Sequence, residues 1–151
     1  MSAWPVRRAM IGKVVIGLDG SAGSAAALDW VIANVGKGDA EVVAVHAIRP
    51  LGEFLLDLPG TGLDDWRKSL QWELEARWCA PLRDAGVAYR AVTVDRTPAL
   101  ALAEVAEAEE ADVIVVGTHG HGGVADRVLG SVSYKLAHTA HRPVLIVPPA
   151  P

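Results

Sequence analysis

Short runs of consecutive apolar residues alternate along this chain with stretches in which apolar residues recur every three or four positions. Lys13 to Leu18, Glu41 to Ile48, Ala88 to Val94, Asp112 to Val116 and Val144 to Val147 are short and rich in Val. Their length and β-branching mark them as strands, and the first and fourth read as buried on both faces because their centres carry no polar residue. Between the first two, Leu28, Val31, Ile32 and Val35 stand at i, i+3, i+4 and i+7, one face of a helix over Ala25 to Val35. Leu63, Trp66, Leu70, Leu74 and Trp78 mark one side of a longer helix, which Pro81 disturbs and Gly86 closes. Pro98 sits in the first turn of a helix running to Glu110, and a last helix spans about Ser131 to Ala140 with Ser131 as its N-cap.

Strands separated by helices predict an α/β fold: an open, doubly wound, five-stranded parallel sheet with right-handed crossovers and helices on both faces. Alternation alone leaves the strand order open. In such sheets ligands lie beyond the carboxyl ends of the strands, where the order reverses, and Asp19 and Gly117 both stand at strand ends.

The candidate chemistry sits after the fourth strand. Gly117-Thr118-His119-Gly120 is followed by nine residues and then by Gly130-Ser131-Val132-Ser133. Glycines let backbone N–H groups approach a phosphate closely, and a helix starting near Ser131 adds unpaired N–H donors and the positive end of its dipole. Gly130 reads as leaving room for the phosphate and as tolerating a positive φ. Ordinary turns also use Gly, and Ser131 caps a helix whether or not anything binds there.

The spacing G-x-x-G-x9-G-S resembles the nucleotide-binding signature of the universal stress protein family. The resemblance covers nearly the whole chain. Val14-Val15-Ile16-Gly17-Leu18-Asp19-Gly20-Ser21 is similar to the family's first strand and its Asp-Gly-Ser turn, Val42 to Ala47 to its second strand, and Pro143-Val144-Leu145-Ile146-Val147-Pro148 to its terminal strand. It implies the strand order 3-2-1-4-5 of an adenine nucleotide alpha-hydrolase-like fold, residues 1–151 forming one domain, and ATP as ligand, with Mg2+ or Mn2+ as its companion. Carried over, the adenine pocket takes Leu18, Asp19 and the backbone of Ala47; Gly117, His119 and Gly120 line the ribose and phosphates; Gly130, Ser131, Val132 and Ser133 hold the terminal phosphates. Asp19 has two functional roles open to it, a divalent ion or a ribose hydroxyl, and a structural one, capping its own turn at Gly20-Ser21 or Ser24. The resemblance also implies a homodimer through Val144–Val147, and the apolar run between Pro143 and Pro148 would be an aggregation liability as an open edge.

Two departures from the family pattern bear on the site. The spacer His121-Gly122-Gly123-Val124-Ala125-Asp126-Arg127 adds a Gly pair and a negative charge near the expected phosphates, and Asp95-Arg96-Thr97-Pro98 stands where the family often has Gly before its Pro. Arg96 reads as solvated rather than phosphate-bound.

Composition narrows the partners. A chain of 151 residues with 51% hydrophobic content supports one core, and a net charge of −4 argues against a general nucleic-acid or anionic-membrane surface. Cys79 is the only cysteine, in a helical pattern, and reads as a small, partly buried residue. Residues 1–11 are expected to be flexible, residues 50–62 to form a mobile loop, and the protein to be cytoplasmic. His119 and His121, two apart, suggest a metal, but no third ligand stands at a familiar zinc spacing. Trp66 and Trp78 read as core or interface residues on the apolar side of their helix.

Enzyme readings find little purchase. There is no G-x-x-x-x-G-K-[ST] and no G-x-S-x-G, and the Gly loop follows the fourth strand rather than the first, as a hydride-transfer fold requires. The expectation is a stress-response regulator that binds an adenine nucleotide and is at most a slow ATPase. The alternatives are a dimeric interaction module without effective nucleotide binding and a weak adenine-nucleotide hydrolase.

Overall fold

The computed structural model describes residues 11–35, 38–49, 62–120 and 129–150. The expectations for the first ten residues, the loop 50–61 and the spacer 121–127 lie outside them. Five parallel strands, β1 (Lys13–Gly17), β2 (Glu41–Ala47), β3 (Ala88–Val94), β4 (Val113–Gly117) and β5 (Val144–Val147), form one sheet in the order β3-β2-β1-β4-β5. This is the doubly wound order of the sequence reading. The described helices are α1 (Ala22–Asn34), α2 (Leu63–Trp72), a π-helical turn (Glu73–Trp78), α3 (Ala80–Asp84), α4 (Pro98–Ala108) and α5 (Ser131–Thr139).

Period-two alternation splits each central strand between two cores. Val14 and Ile16 of β1 pack with Leu28 and Val31 of α1 and with Leu74, Cys79 and Leu82. Val15 turns the other way, towards Leu102 and Ala106 of α4 and Leu136 of α5. Covering both faces explains why β1 and β4 are apolar throughout, whereas β3 and β5, at the edges, keep half-exposed positions.

The long helix departs from the single regular helix expected of its period. It passes through a π turn, and of the residues on the side set by a 3.6-residue period Trp66 departs, at 41% exposed, whereas Leu74 is fully buried and Trp72, off that side, is 60% exposed. Trp66 is therefore not a core residue. Cys79 is fully buried rather than partly so, and that burial pushes its thiol up to about 11. Gly86, with φ of 70°, ends α3 as expected.

At the end of the sheet opposite the strand carboxyl termini, charges tie the elements together. Arg90 of β3 donates to Glu41 of β2 at 2.7 Å and to Glu109 at 2.6 Å, and Lys13 of β1 reaches the same two carboxylates at 3.5 and 3.2 Å.

Candidate functional site

β1 and β4 are hydrogen-bonded neighbours, with Ile16 opposite Val115, so the turn after β1 and the Gly loop after β4 leave the sheet side by side. The β1 turn is held by its own side chains. Asp19 Oδ1 accepts from the Ser21 N–H at 2.9 Å, and Ser21 caps α1 by accepting from the Ser24 N–H at 3.2 Å. This is the capping role open to Asp19 from sequence, and it occupies one carboxylate oxygen. The other lies against the Gly loop: a Cβ on Gly120 would fall 2.6 Å from Asp19 Oδ2.

The start of α1 and the Gly loop touch backbone to backbone. A Cβ on Gly117 would sit 2.5 Å from the Gly23 carbonyl, and one on Gly23 would overlap the His119 carbonyl. Glycine at these positions serves close approach, since neither lies in the left-handed region. The loop returns to α5 through one acceptor, the Thr118 carbonyl, which takes the Gly130 N–H at 2.6 Å and the Ser133 hydroxyl at 3.1 Å.

Two local expectations are corrected by this geometry. The N-cap of α5 is Gly130, not Ser131; Ser131 is the first helical residue and is exposed, whereas Ser133 is 1% exposed and bonded into the loop. Gly130 has φ of −75°, which any residue adopts, so a positive φ is not what requires glycine here. What requires it is space: a Cβ would lie 2.8 Å from the Thr118 carbonyl oxygen.

Around these elements opens a cavity of about 570 Å³, within the range of small-molecule sites. Leu18, Asp19, Ala47, Gly117, His119, Gly120, Gly130, Ser131, Val132 and Ser133, drawn from three strand ends and one helix start, all line it. Pro98 and Leu102 of α4 complete the wall beside the departure at Asp95–Thr97, while Arg96 stays outside, paired with Glu104 at 3.6 Å. His121 lies outside the described residues.

Sequence reasoning passed over His46 and Arg49 as lining residues. His46 Nδ1 donates to the Leu18 carbonyl at 2.9 Å, and because a carbonyl only accepts, that nitrogen carries a proton. Arg49 is the only Lys or Arg among the described lining residues, as Asp19 is the only carboxylate. His46 is the penultimate residue of β2 and Arg49 lies just past its end, and the rule that strand–helix connections converge at one end of such a sheet was the signal that pointed to them. At the far side, the first-turn N–H groups of α5 have no carbonyl one turn earlier to bond, which makes that edge a donor surface for an anion.

The universal stress protein family model matches residues 10–148. The chain belongs to the universal stress protein family. A universal stress protein of Mycolicibacterium smegmatis is 34% identical over 142 residues, 90% of this chain and 45% of that protein. The chain thus spans less than half the length of that relative. One from Methanocaldococcus jannaschii is 32% identical, over 89% of this chain and 81% of that protein. Among solved structures, a universal stress protein in complex with cAMP is 27% identical with a TM-score of 0.66, over 94% of this chain and 100% of that one. In this universal stress protein the cavity lies where β1 and β4 diverge into their loops, and every residue expected at the site from sequence lines it.

Proposed function

We propose that the cavity binds an adenine nucleotide, with ATP as the expected form, and that the protein acts as a cytoplasmic stress-response regulator whose shape or partner choice follows nucleotide occupancy. The observation that carries this reading is the gathering of the Asp19 turn, the end of β2 and the α5 start around one cavity of nucleotide scale. The cAMP complex of a related universal stress protein supports it.

The residues present fit such a ligand. Phosphates would meet the backbone of Gly130, Ser131 and Val132, where Gly130 leaves room that a Cβ would fill. Leu18 and Ala47 would flank the base, Asp19 Oδ2 and Gly120 would stand at the ribose, and a Mg2+ or Mn2+ ion accompanying the phosphates would neutralise part of their charge. Binding rather than turnover is the reading this donor set favours. The lone carboxylate already accepts from its own turn, and no lysine lines the described wall to stabilise a transferring phosphoryl group.

Mass spectrometry of small molecules released from protein purified under native conditions tests this directly, with an adenine nucleotide expected in the released fraction. An excess of about a hundredfold over the dissociation constant stabilises a fold by about 2.7 kcal/mol, which raises the melting temperature of a chain this size by about 5–10 °C. A thermal scan in millimolar ATP and magnesium that superimposes on the ligand-free scan would refute the nucleotide reading in favour of a dimeric interaction module. Single-turnover assay of bound ATP separates slow hydrolysis from none.

A further inference from the structure

The π turn Glu73–Trp78 lies outside the cavity, and one of its side chains packs on the chain segments that build the cavity's edge. The Cys79 N–H donates to the Leu74 carbonyl five residues back at 2.9 Å, and the widened turn buries Leu74 and Cys79 together. Single π turns are rare and recur near functional sites. Here the turn sets the Trp78 indole between two residues of the cavity end of the sheet.

On one side the indole packs on Gly20, where a Cβ would fall 2.8 Å from Cε2 and Cζ2. Gly20 also has φ of 77°, so two independent constraints demand glycine there. On the other side Trp78 meets His46 edge to face, with ring centroids 4.9 Å apart and an interplanar angle of 74°. His46 is bonded to the Leu18 carbonyl. Trp78 therefore braces the chain immediately before and immediately after Asp19, whose Oδ1 closes the turn onto Ser21. It does not itself line the cavity.

We propose that Trp78 is a positioning residue that holds the Leu18–Ser21 turn and so fixes the Asp19 carboxylate at the cavity. The consequence for ligand affinity rests on the nucleotide reading above; the consequence for the turn does not.

The test compares Trp78→Ala and Trp78→Phe with Leu74→Ala, a buried residue of the same π turn that does not line the cavity. In ligand-free protein, amide hydrogen exchange read by NMR is expected to show the Ser21 amide losing about tenfold or more of its protection relative to the β1 amides in Trp78→Ala. Trp78→Phe should fall between Trp78→Ala and the parent, and Leu74→Ala should leave that ratio within about twofold while lowering the melting temperature. Calorimetric ATP affinity is expected to follow the same order, with a loss of about tenfold in Trp78→Ala. A Ser21 protection ratio unchanged in the folded Trp78 variants, or changed equally by Leu74→Ala, overturns the proposal. If Trp78→Ala does not fold, the loss or retention of Ser21 protection in Trp78→Phe decides. If the parent binds no ATP, the nucleotide reading fails while the exchange measurement still decides the role of Trp78.

Discussion

Gly130→Val tests the join between the Gly loop and α5. Its Cβ would lie 2.8 Å from the Thr118 carbonyl oxygen and 3.2 Å from His119 Cα, so loop and helix must separate by several tenths of an ångström. Two hydrogen bonds converge on that carbonyl, from the Gly130 N–H and the Ser133 hydroxyl. Weakening both costs about 1 kcal/mol each, and replacing Gly by Val at an N-cap adds about 1 kcal/mol. Because Gly130 is extended, with φ of −75°, no left-handed strain enters the sum. The total is about 3 kcal/mol, a fall of about 6–12 °C in melting temperature. No core volume is lost, so circular dichroism should still report a folded protein. Affinity is expected to fall below detection, since the isopropyl group occupies the space where phosphates would reach the first-turn N–H groups. Calorimetry and a thermal scan on the same preparation check both effects. A folded variant that binds ATP within about threefold of the parent, or melts within about 2 °C of it, would refute the reasoning.

The two serines of α5 should differ, with the one read from sequence as the N-cap mattering less: Ser133→Ala, which removes a buried hydroxyl bonded to Thr118 and Gly130, should cost about 1–2 kcal/mol, and exposed Ser131→Ala less than about 0.5 kcal/mol. Urea midpoints of the two variants check this, and equal midpoints would count against it. Val144–Val147 is an edge strand with one side of its ladder open in this single chain, so a dimer through it should appear by light scattering at micromolar concentration; a monomer insensitive to dilution rejects that interface. Hydrogen bonds from Arg90 are the main cause that holds Glu41 and Glu109 below their ordinary value of 4.5, so their contribution is complete above that pH and is lost as pH falls through their lower folded values. Lys13, raised chiefly by its hydrogen bond to Glu109, contributes fully below 10.5 and loses that contribution as pH rises through its folded value. Urea midpoints should therefore fall more steeply below about pH 4.5 in the parent than in Arg90→Leu, and parallel curves would show that the network adds nothing.

Much of this protein was legible without coordinates. The apolar, Val-rich runs placed all five strands to within about a residue, most plainly β1 and β4, because a strand buried on both faces cannot accept polar residues at its centre. The rule that ligands lie beyond strand carboxyl ends, together with family resemblance, brought the expected residues to one cavity. What the sequence could not decide depended on distances between segments far apart in the chain. Whether glycine at 23, 117 and 130 serves φ or close approach is fixed by where the His119, Gly23 and Thr118 carbonyls fall where the Gly loop meets α1 and α5, and the answer is close approach. Ser131 resembled an N-cap because capping residues are recognised locally, but Gly130 takes that position and the buried hydroxyl bonded to Thr118 belongs to Ser133. The 3.6-residue period gave no sign that Trp66 would stay 41% exposed, nor of the π turn that carries Trp78, whose indole packs on Gly20. Local chemistry sets which residues form strands and helices and at which end of the sheet the strand–helix turns gather. The tertiary packing of α1 and the π turn against the loops at that end sets what each residue there touches, because those contacts are a few ångströms long and join residues many positions apart.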